Sequence, residues 1–329
     1  MGRSHVLHAG PDTVHWGYFD AALAPALTVE SGDSVRIESV NGQPRDLVGA
    51  PFDVLPEHRR IHETCTPKLG PHIVTGPVAI NGAEPGDLLE VRVREIELRQ
   101  DWGWNVIRPL RGTLPEDFPL TRLLHVPIDR ERHTTTLPFG VTLPLRPFFG
   151  VMGVAPPAAY GAISSIEPRE HGGNIDNKEL CAGATLFLPV HASGALFSAG
   201  DGHAVQGDGE VNLTALETSL TGLFEFHLHK AVHAPMPIGL SVTHVITMGF
   251  DEDLDTAARQ ALREMIALLR EITGWAREDA YVFCSMACDL HVTQMVNGEK
   301  GVHAMVDRAR LSSVLKGSHP LAVALRRTS

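Results

Sequence analysis

Cysteine is scarce in this sequence, and the few cysteines present match no cysteine motif. The 329 residues include four, none spaced as Cys-x-x-Cys: Cys65, Cys181, Cys284 and Cys288. Disulfide-stapled secreted domains and cysteine-rich zinc sites need denser or regularly paired cysteines. The first residues also lack the apolar stretch of a secretory signal. The sequence therefore predicts a reduced, cytoplasmic protein.

Long apolar runs and clusters of basic residues are absent as well. No run approaches the roughly 18 apolar residues of a membrane span. Lysine and arginine total 28 against 39 aspartates and glutamates, which gives a net charge of −11. An acidic protein of this kind is a poor partner for nucleic acid or for an anionic membrane surface. We therefore expect no nucleic-acid and no membrane partner.

Familiar catalytic motifs are missing too. No segment matches the G-x-S-x-G nucleophile elbow, the H-E-x-x-H zinc helix, a P-loop or a dinucleotide fingerprint. These absences disfavour an α/β-hydrolase and a nucleotide-dependent enzyme. The clusters of His, Asp and Glu that remain favour attack by water, assisted by a bound metal.

Glycine and proline are frequent, by contrast, and they separate short β-like runs. There are 31 glycines and 23 prolines, and the runs between them occupy residues 27–29, 34–39, 78–81, 88–96 and 185–190. Many short strands with Gly and Pro turns are typical of a β-sandwich or barrel. The proline-rich stretch of about 99–150 is expected to be an irregular insert. A β-rich catalytic region is thus predicted over residues 1–215.

The pattern changes to a helical one near the C-terminus. Apolar residues recur at helical spacing over 255–273, with Asp253 or Asp255 as the N-cap. A second helix is predicted over residues 277 to about 287, and the last ten residues, 320–329, are expected to be a loosely held tail.

These helices and the strands near them predict a second part of the chain. We expect residues 216–329 to form a smaller α+β part that packs on the β-rich region.

The ten residues 201–210, DGHAVQGDGE, combine acidic, histidine and glycine residues. Residues two apart on an extended strand share a face, so Asp201 and His203 would point together, as would Asp208 and Glu210. The glycines let backbone or a ligand approach closely. Carboxylate and imidazole groups suit a zinc-like metal or general acid–base chemistry. The alternative interpretation is a polar turn between two strands.

Two other histidine groups compete with this one. Alternate strand positions carry Glu225, His227 and His229, although a solvent-facing strand edge with its apolar neighbours inside explains them better. His72 precedes Gly76-Pro77, a tight approach to a strand, and a structural role and a place near the site are equally open for it.

Five segments resemble those of one enzyme family. They are HWGYFDAALAPALTVESGD (15–33), TGPVAINGAEPGD (75–87), HGGNIDNKEL (171–180), GALFSAGDGHAVQGDGE (194–210) and AREDAYVFCSMACDLHVTQMV (276–296). The chain is similar to the acetamidase/formamidase family over nearly its whole length.

The resemblance implies a fold, an activity and partners. The fold is mainly β: a jelly-roll-like β-sandwich with an additional β-barrel-like part and a smaller α+β C-terminal part. The activity is hydrolysis of a short linear amide, such as formamide or acetamide, to a carboxylate and ammonia. The resemblance further implies a homo-oligomer and a divalent metal, with zinc expected and calcium as the alternative. A γ-lactam hydrolase of the same family is the alternative enzyme, and a non-catalytic binding sandwich is the alternative class.

Residue roles are assigned from the residues themselves and not from the resemblance. Asp201 and His203 are expected to bind the metal, with His72 and Asp176 as further ligands. Glu210 is expected to act as general base and then as acid toward the leaving ammonia, with catalytic roles also for Asp208, which would orient a ligand, and for His72. Contacts to the substrate or its oxyanion are assigned to Gly172, Gly173, Asn174 and Gln206.

Overall fold

The computed structural model describes residues 2–327, with the side chain of Arg327 left out. These residues form 22 strands and four α-helices. In chain order the strands are β1 (Ser4–Leu7), β2 (Val14–Trp16), β3 (Tyr18–Phe19), β4 (Leu27–Val29), β5 (Ser34–Glu38), β6 (Ile73–Ile80), β7 (Leu88–Leu98), β8 (Trp102–Ile107), β9 (Arg122–Asp129), β10 (Thr134–Thr136), β11 (Thr142–Pro144), β12 (Phe148–Gly153), β13 (Ile163–Ser164), β14 (Gly172–Asn174), β15 (Thr185–Pro189), β16 (Phe197–Val205), β17 (Leu216–Thr218), β18 (Leu220–His229), β19 (Ile238–Leu240), β20 (His244–Asp251), β21 (Cys288–Gln294) and β22 (Lys300–Asp307). The helices are α1 (Pro56–Thr64), α2 (Leu254–Thr273), α3 (Arg277–Ala287) and α4 (Pro320–Arg327).

Two large sheets dominate the structure. One has nine strands in the order β1-β5-β18-β7-β15-β19-β20-β22-β21. The other has 11 strands, following the path β11-β10-β9-β8-β17-β16-β12-β14, with β6 beside β16 and joined by β2 and β4. The mainly β fold is confirmed, and no sheet of residues 2–327 closes into a barrel.

The main core lies between these sheets. Phe224 of β18 meets Phe149 of β12 edge to face, with ring centroids 5.2 Å apart. Phe226 of the same strand meets Phe197 of β16 in the same way, at 5.2 Å. Aromatic pairs of this geometry add to the free energy gained by burial. One face of the strand that carries Glu225 and His227 is therefore core.

The alternating β runs of the sequence are strands in the structure. Runs 27–29, 34–39, 88–96 and 185–190 correspond to β4, β5, β7 and β15. The run at 78–81 is the end of β6, which begins earlier, at Ile73, and is buried along its whole length. Strands buried on both faces lose the alternation that marks half-buried ones, so its first half is not visible in the sequence.

The expectation of an irregular insert over 99–150 is wrong. This stretch contains β8 to β11 and the start of β12. Two of its prolines lie in strands without breaking them: Pro127 is in β9, and Pro144 ends β11, which is the edge strand of its sheet. Edge strands tolerate proline because one row of their N–H groups faces no partner.

The C-terminal helices agree with the sequence pattern, and the tail does not. The side chain of Asp253 accepts a hydrogen bond from Thr256 N as the N-cap of α2, and Gly274 closes that helix with φ of 74°. Residues 320–327 form α4 rather than a loose tail, because Leu321 and Leu325 are buried in the core beneath α2. Residues 328 and 329 lie outside the described residues.

The nine-stranded sheet runs through both predicted parts of the chain. Strands from before residue 215, such as β7, pair in it with β18, which lies beyond. The division into 1–215 and 216–329 and the jelly-roll connectivity stay predictions. None of the helices in residues 2–327 is both long and apolar enough to cross a membrane.

Candidate active site

Two adjacent strands and two loops bring one imidazole and four carboxyl groups together. β16 carries Asp201 and His203, and Glu217 of β17 lies directly across from His203 in the register of the two strands. Asp176 follows β14, and Glu210 lies in the turn between β16 and β17. All five side chains are buried.

His203 is at the centre of this cluster. Its Nε2 lies 3.1 Å from Asp201 Oδ2, 3.3 Å from Glu217 Oε2 and 3.9 Å from Asp176 Oδ1. Two sets of donor atoms that could hold a metal ion overlap at this imidazole: Asp176, His203 and Glu210, and Asp201, His203 and Glu217. The atoms of each set lie within 4.8 Å of one another.

Gly150 in β12 makes the space in which the cluster forms. A Cβ atom at this position would overlap Asp176 Oδ1 and Asp201 Oδ2, and it would lie 2.9 Å from His203 Cε1. Any side chain here would therefore displace three of the five groups. The absence of a side chain at residue 150 is a requirement of the site.

Amide side chains orient the carboxylates. Asn41 Nδ2 donates to Asp201 Oδ1 at 3.1 Å and to Glu217 Oε2 at 2.6 Å. Asn297 Nδ2 donates to Asp176 Oδ2 at 2.5 Å. Groups that hydrogen-bond to metal-binding side chains in this way fix their orientation. One oxygen of each of these three carboxylates is thus held in place.

Some polar atoms of the cluster lack hydrogen-bond partners. Among the described residues, no hydrogen bond reaches Asp176 Oδ1 or Glu210 Oε2, although both atoms are buried. Buried polar atoms without partners are rare in folded proteins and call for an unseen partner. Both atoms belong to residues of one donor set, so the residues fit a bound divalent cation.

Burial and repulsion shift the protonation of the cluster. Burial raises the pKa of Glu210 well above its ordinary value, and the neighbouring Asp176 raises it further. Burial also raises the pKa of Asp176 and raises that of Glu217 to about 7. Burial opposes charge on both Asp201 and His203. Attraction to His203 nevertheless lowers the pKa of Asp201, and attraction to Glu217 and Asp201 raises the pKa of His203. A cation would relieve the repulsion among the carboxylates.

The cluster lines a cavity of about 430 Å³. Asp176, Asp201, Glu210 and Glu217 line it together with the predicted residues His72 and Asn174. The structure therefore brings six of the residues predicted from the sequence to one place. Five of them line the cavity: His72, Asn174, Asp176, Asp201 and Glu210. The sixth, His203, lies behind the carboxylates.

His72 is in the cavity wall but outside both donor sets. Its Nδ1 lies 2.9 Å from both the carbonyl oxygen and the hydroxyl of Ser165. This hydrogen bonding leaves Nε2 as the nitrogen that can meet a ligand. Asn174 donates from Nδ2 to Ile166 O, and its buried Oδ1 lacks a partner among residues 2–327.

Asp208 does not join the cluster. It lies 3.0 Å from Lys178 Nζ and 3.3 Å from His291 Nδ1, and it is not among the residues that line the cavity. β16 ends at Val205 and Glu210 has φ of 45°. The alternation expected for an extended strand therefore does not apply to Asp208 and Glu210.

The predicted backbone oxyanion donors are engaged elsewhere. Gly172 N donates to Arg169 O at 3.0 Å, and Gly172 and Gly173 pair with β12 rather than line the cavity. Gln206 also does not line it, but it contacts the cluster from behind. Its Oε1 lies 2.9 Å from His203 Nδ1, and its Nε2 donates to Asp176 O at 2.8 Å.

Four site residues were missed in the sequence: Asn41, Gly150, Glu217 and Asn297. Glu217 lies between apolar and hydroxyl residues, and only its register opposite His203 reveals it. Asn297 reaches Asp176 from 121 residues away. The one signal in the sequence is an acidic residue within a strand-like stretch of apolar residues. Among these four residues it points to Glu217 alone.

The competing cluster at β18 is a charged strand face. Glu225 lies 2.5 Å from His227 and 2.9 Å from Arg92, while His229 pairs with Glu90 at 2.6 Å. These ion pairs satisfy the side chains, and Phe224 and Phe226 face the core as expected. The expectation of a strand edge is wrong, because β18 lies between β5 and β7 in its sheet.

Comparison with known proteins gives a consistent result. The model of the acetamidase/formamidase family matches residues 12–161 and 157–305. The chain is 25% identical to an acetamidase from Mycolicibacterium smegmatis, covering 64% of this chain and 72% of that protein. It is 26% identical to a formamidase from Methylophilus methylotrophus, covering 64% and 69%.

Solved structures agree. A predicted acetamidase/formamidase from Thermoanaerobacter tengcongensis superposes with a TM-score of 0.84 at 26% identity, covering 95% of this chain and 98% of that one. A γ-lactamase from Delftia acidovorans gives a TM-score of 0.60 at 22% identity, over 95% and 94% of the two chains. At that identity the likeness concerns the fold alone.

Proposed function

The chain belongs to the acetamidase/formamidase family, and from this premise we propose that it hydrolyses a short linear amide to a carboxylate and ammonia. The observation that carries the proposal is the buried cluster of one imidazole and four carboxyl groups at a cavity of about 430 Å³. Names of relatives support amide hydrolysis as the reaction class. The cluster supports water as the nucleophile.

We propose that the cluster holds a divalent cation through Asp176, His203 and Glu210, or through Asp201, His203 and Glu217. Zinc is favoured over calcium because calcium takes oxygen ligands, whereas an imidazole nitrogen is central here. Such a cation supplies Lewis acidity, which lowers the pKa of water toward about 7 and polarises a carbonyl.

Where Asp201, His203 and Glu217 hold the cation, Glu210 is the residue we propose to move the proton. Its Oε2 is buried and without a hydrogen-bond partner among the described residues, so it is free to accept a proton from water. Burial raises its pKa well above the ordinary carboxyl value, which makes it a stronger base and then a competent acid. Amide nitrogen is a poor leaving group, so delivery of that proton to nitrogen is needed for the C–N bond to break.

Substrate contacts are proposed for Asn174 and His72. Asn174 Oδ1 lacks a partner within residues 2–327 and can accept an N–H of the amide. His72 Nδ1 donates to Ser165 O, so Nε2 of the neutral ring can accept the other N–H of the amide. These two groups would orient the amide over the carboxylates.

We also propose that the protein is a homo-oligomer located in the cytoplasm. Several large apolar side chains are exposed between residues 110 and 141, including Leu110 at 87% and Phe139 at 66% exposure. Exposed apolar surface of this kind is typical of an interface between subunits.

All four cysteines are free thiols, as in proteins of reducing compartments such as the cytoplasm.

Ammonia release tests the function. It is measured with formamide, acetamide and γ-butyrolactam, for the purified protein, after chelation, and after zinc is returned. We expect release from a linear amide that falls on chelation and recovers with zinc. Release that persists after verified metal removal would contradict the metal-assisted mechanism, and no release from any amide would favour a binding protein.

A further inference from the structure

The mouth of the cavity is cationic although the protein is acidic. Arg45, Lys68 and Arg111 line the cavity and are exposed to solvent. The chain has a net charge of −11, whereas the charged side chains around this opening are positive. Charge concentrated at a cleft raises the local concentration of ligands of the opposite sign.

These three cations have no acidic partner. Within residues 2–327, no carboxylate lies within ion-pairing distance of Arg45, Lys68 or Arg111, and Lys68 Nζ lies over the ring of Tyr18, 4.1 Å from its centroid. A fourth cation of the lining, Arg108, is paired with Asp46 and therefore adds little net charge.

The cavity is also larger than a two-carbon amide requires. Its volume is about 430 Å³, whereas a water occupies about 30 Å³ in the liquid, so a molecule of the size of acetamide fills on the order of 100 Å³. The lining also includes the apolar side chains of Trp104, Val106 and Leu213, which are buried or half-buried, whereas the three cations are exposed. An apolar spacer followed by an anion would match this change from buried apolar to exposed cationic surface.

We propose that the substrate is a linear amide that carries a negative charge at the end remote from the scissile bond. This inference rests on the proposed amide hydrolysis. The neutral amide would lie against the carboxylate cluster, and the anionic end would lie among Arg45, Lys68 and Arg111. The reverse orientation would place the anion beside Asp176, Asp201, Glu210 and Glu217, which repel it.

Three amides with the same carbon chain test the proposal: butanamide, the monoamide of succinate, and 4-aminobutanamide. They end in a neutral, a negative and a positive group. We expect kcat/KM for the succinate monoamide to exceed that for butanamide by about tenfold at low salt and to fall as ionic strength rises. The cationic amide should be the poorest of the three.

A second experiment removes the three positive charges. The triple variant Arg45→Gln, Lys68→Gln, Arg111→Gln should reduce the ratio of kcat/KM for the anionic to the neutral amide by about tenfold. Because the three side chains are exposed, the fold should tolerate their loss. Arg263→Gln, on the exposed surface of α2, is the matched control, and its ratio should equal that of the unaltered protein.

The outcomes separate the two hypotheses. If butanamide is hydrolysed but the anionic amide is not preferred, or if the preference survives the triple variant, the inference is overturned and the proposed function stands. An equal loss for both amides would assign the cations to a step common to both, such as release of the carboxylate product, and would overturn it as well. No ammonia from any of the three amides would overturn both.

Discussion

Gln206 determines which ring nitrogen of His203 faces the carboxylates. The Gln206 amide nitrogen donates to Asp176 O at 2.8 Å, so its oxygen is the atom 2.9 Å from His203 Nδ1 and must accept a hydrogen bond there. The proton of a neutral His203 therefore sits on Nδ1, and the lone pair on Nε2 faces the cluster. This is the tautomer that a metal ligand needs.

Replacing Gln206 tests that relationship. Gln206→Leu keeps the side-chain volume but removes the acceptor, so the ring of His203 is no longer fixed. We expect zinc affinity, measured by competition with a coloured chelator, to fall by about 10- to 100-fold. His203→Gln, which removes the ligand itself, should fall further. An unchanged affinity in Gln206→Leu would show that Gln206 does not orient the imidazole for metal binding, and an unchanged affinity in His203→Gln would show that the imidazole does not bind the metal.

Two acids of one turn provide a matched test of the proton-transfer role. Where Asp201, His203 and Glu217 hold the cation, Glu210→Gln should lower kcat by about 10²-fold or more with metal content retained, because the amide can neither accept nor deliver the proton. Asp208→Asn makes the same chemical change two residues away. Asp208 pairs with Lys178 and His291 at a partly exposed position, and breaking such pairs should change kcat by about twofold or less. Equal effects in the two variants would remove Glu210 from the mechanism.

The sequence is informative about this fold where the periodicity is local. Alternation in β7 and the apolar stripe of α2 are intrinsic to strand and helix geometry, and both elements lie where predicted. Asp201 and His203 were identifiable because they are neighbours on β16. Asp208 was misassigned because that strand ends at Val205, so the two-residue period no longer holds beyond it.

The rest of the site depends on contacts between distant segments. Glu217 meets His203 across strands, and Asn41 reaches Asp201 over 160 residues. Asn297 reaches Asp176 over 121. No local pattern encodes such pairs, because only the register of strands and the path of loops bring them together. α4 was missed for a related reason: eight residues are too few to show a helical period, and its burial depends on the core beneath α2.

Gly150 is a residue whose importance only the structure reveals. In Gly150→Ala the new methyl group would overlap Asp176 Oδ1 and Asp201 Oδ2. We expect metal affinity to fall and kcat to drop by about 10²-fold, as when reacting groups are displaced by about 1 Å. Gly207→Ala is the control, since a Cβ there meets no atom within 4 Å. Circular dichroism should show both variants folded, and full activity in Gly150→Ala would contradict the assignment of the cluster.

Buried histidines should make the protein sensitive to acid. Burial lowers the pKa of His15 to about 4 and that of His171 to about 3, from 6.5. Below pH 6.5 the unfolded chain binds protons that the folded protein does not, so the free energy of unfolding falls as pH falls. Each group contributes up to about 1.4 kcal/mol per pH unit, and the loss ends near the folded pKa.

His171 allows this linkage to be measured for one residue. Both of its ring nitrogens are buried without partners among the described residues, and its ring contacts Phe19 at a centroid distance of 5.0 Å, so His171→Phe preserves the ring contact. Urea unfolding at pH 7, 6 and 5 should show that this variant loses about 2 kcal/mol less between pH 7 and 5 than the unaltered protein. His133→Asn, at an exposed turn position, should keep the original slope. If His171→Phe keeps it too, His171 takes up its proton in the folded state, and burial does not hold it neutral.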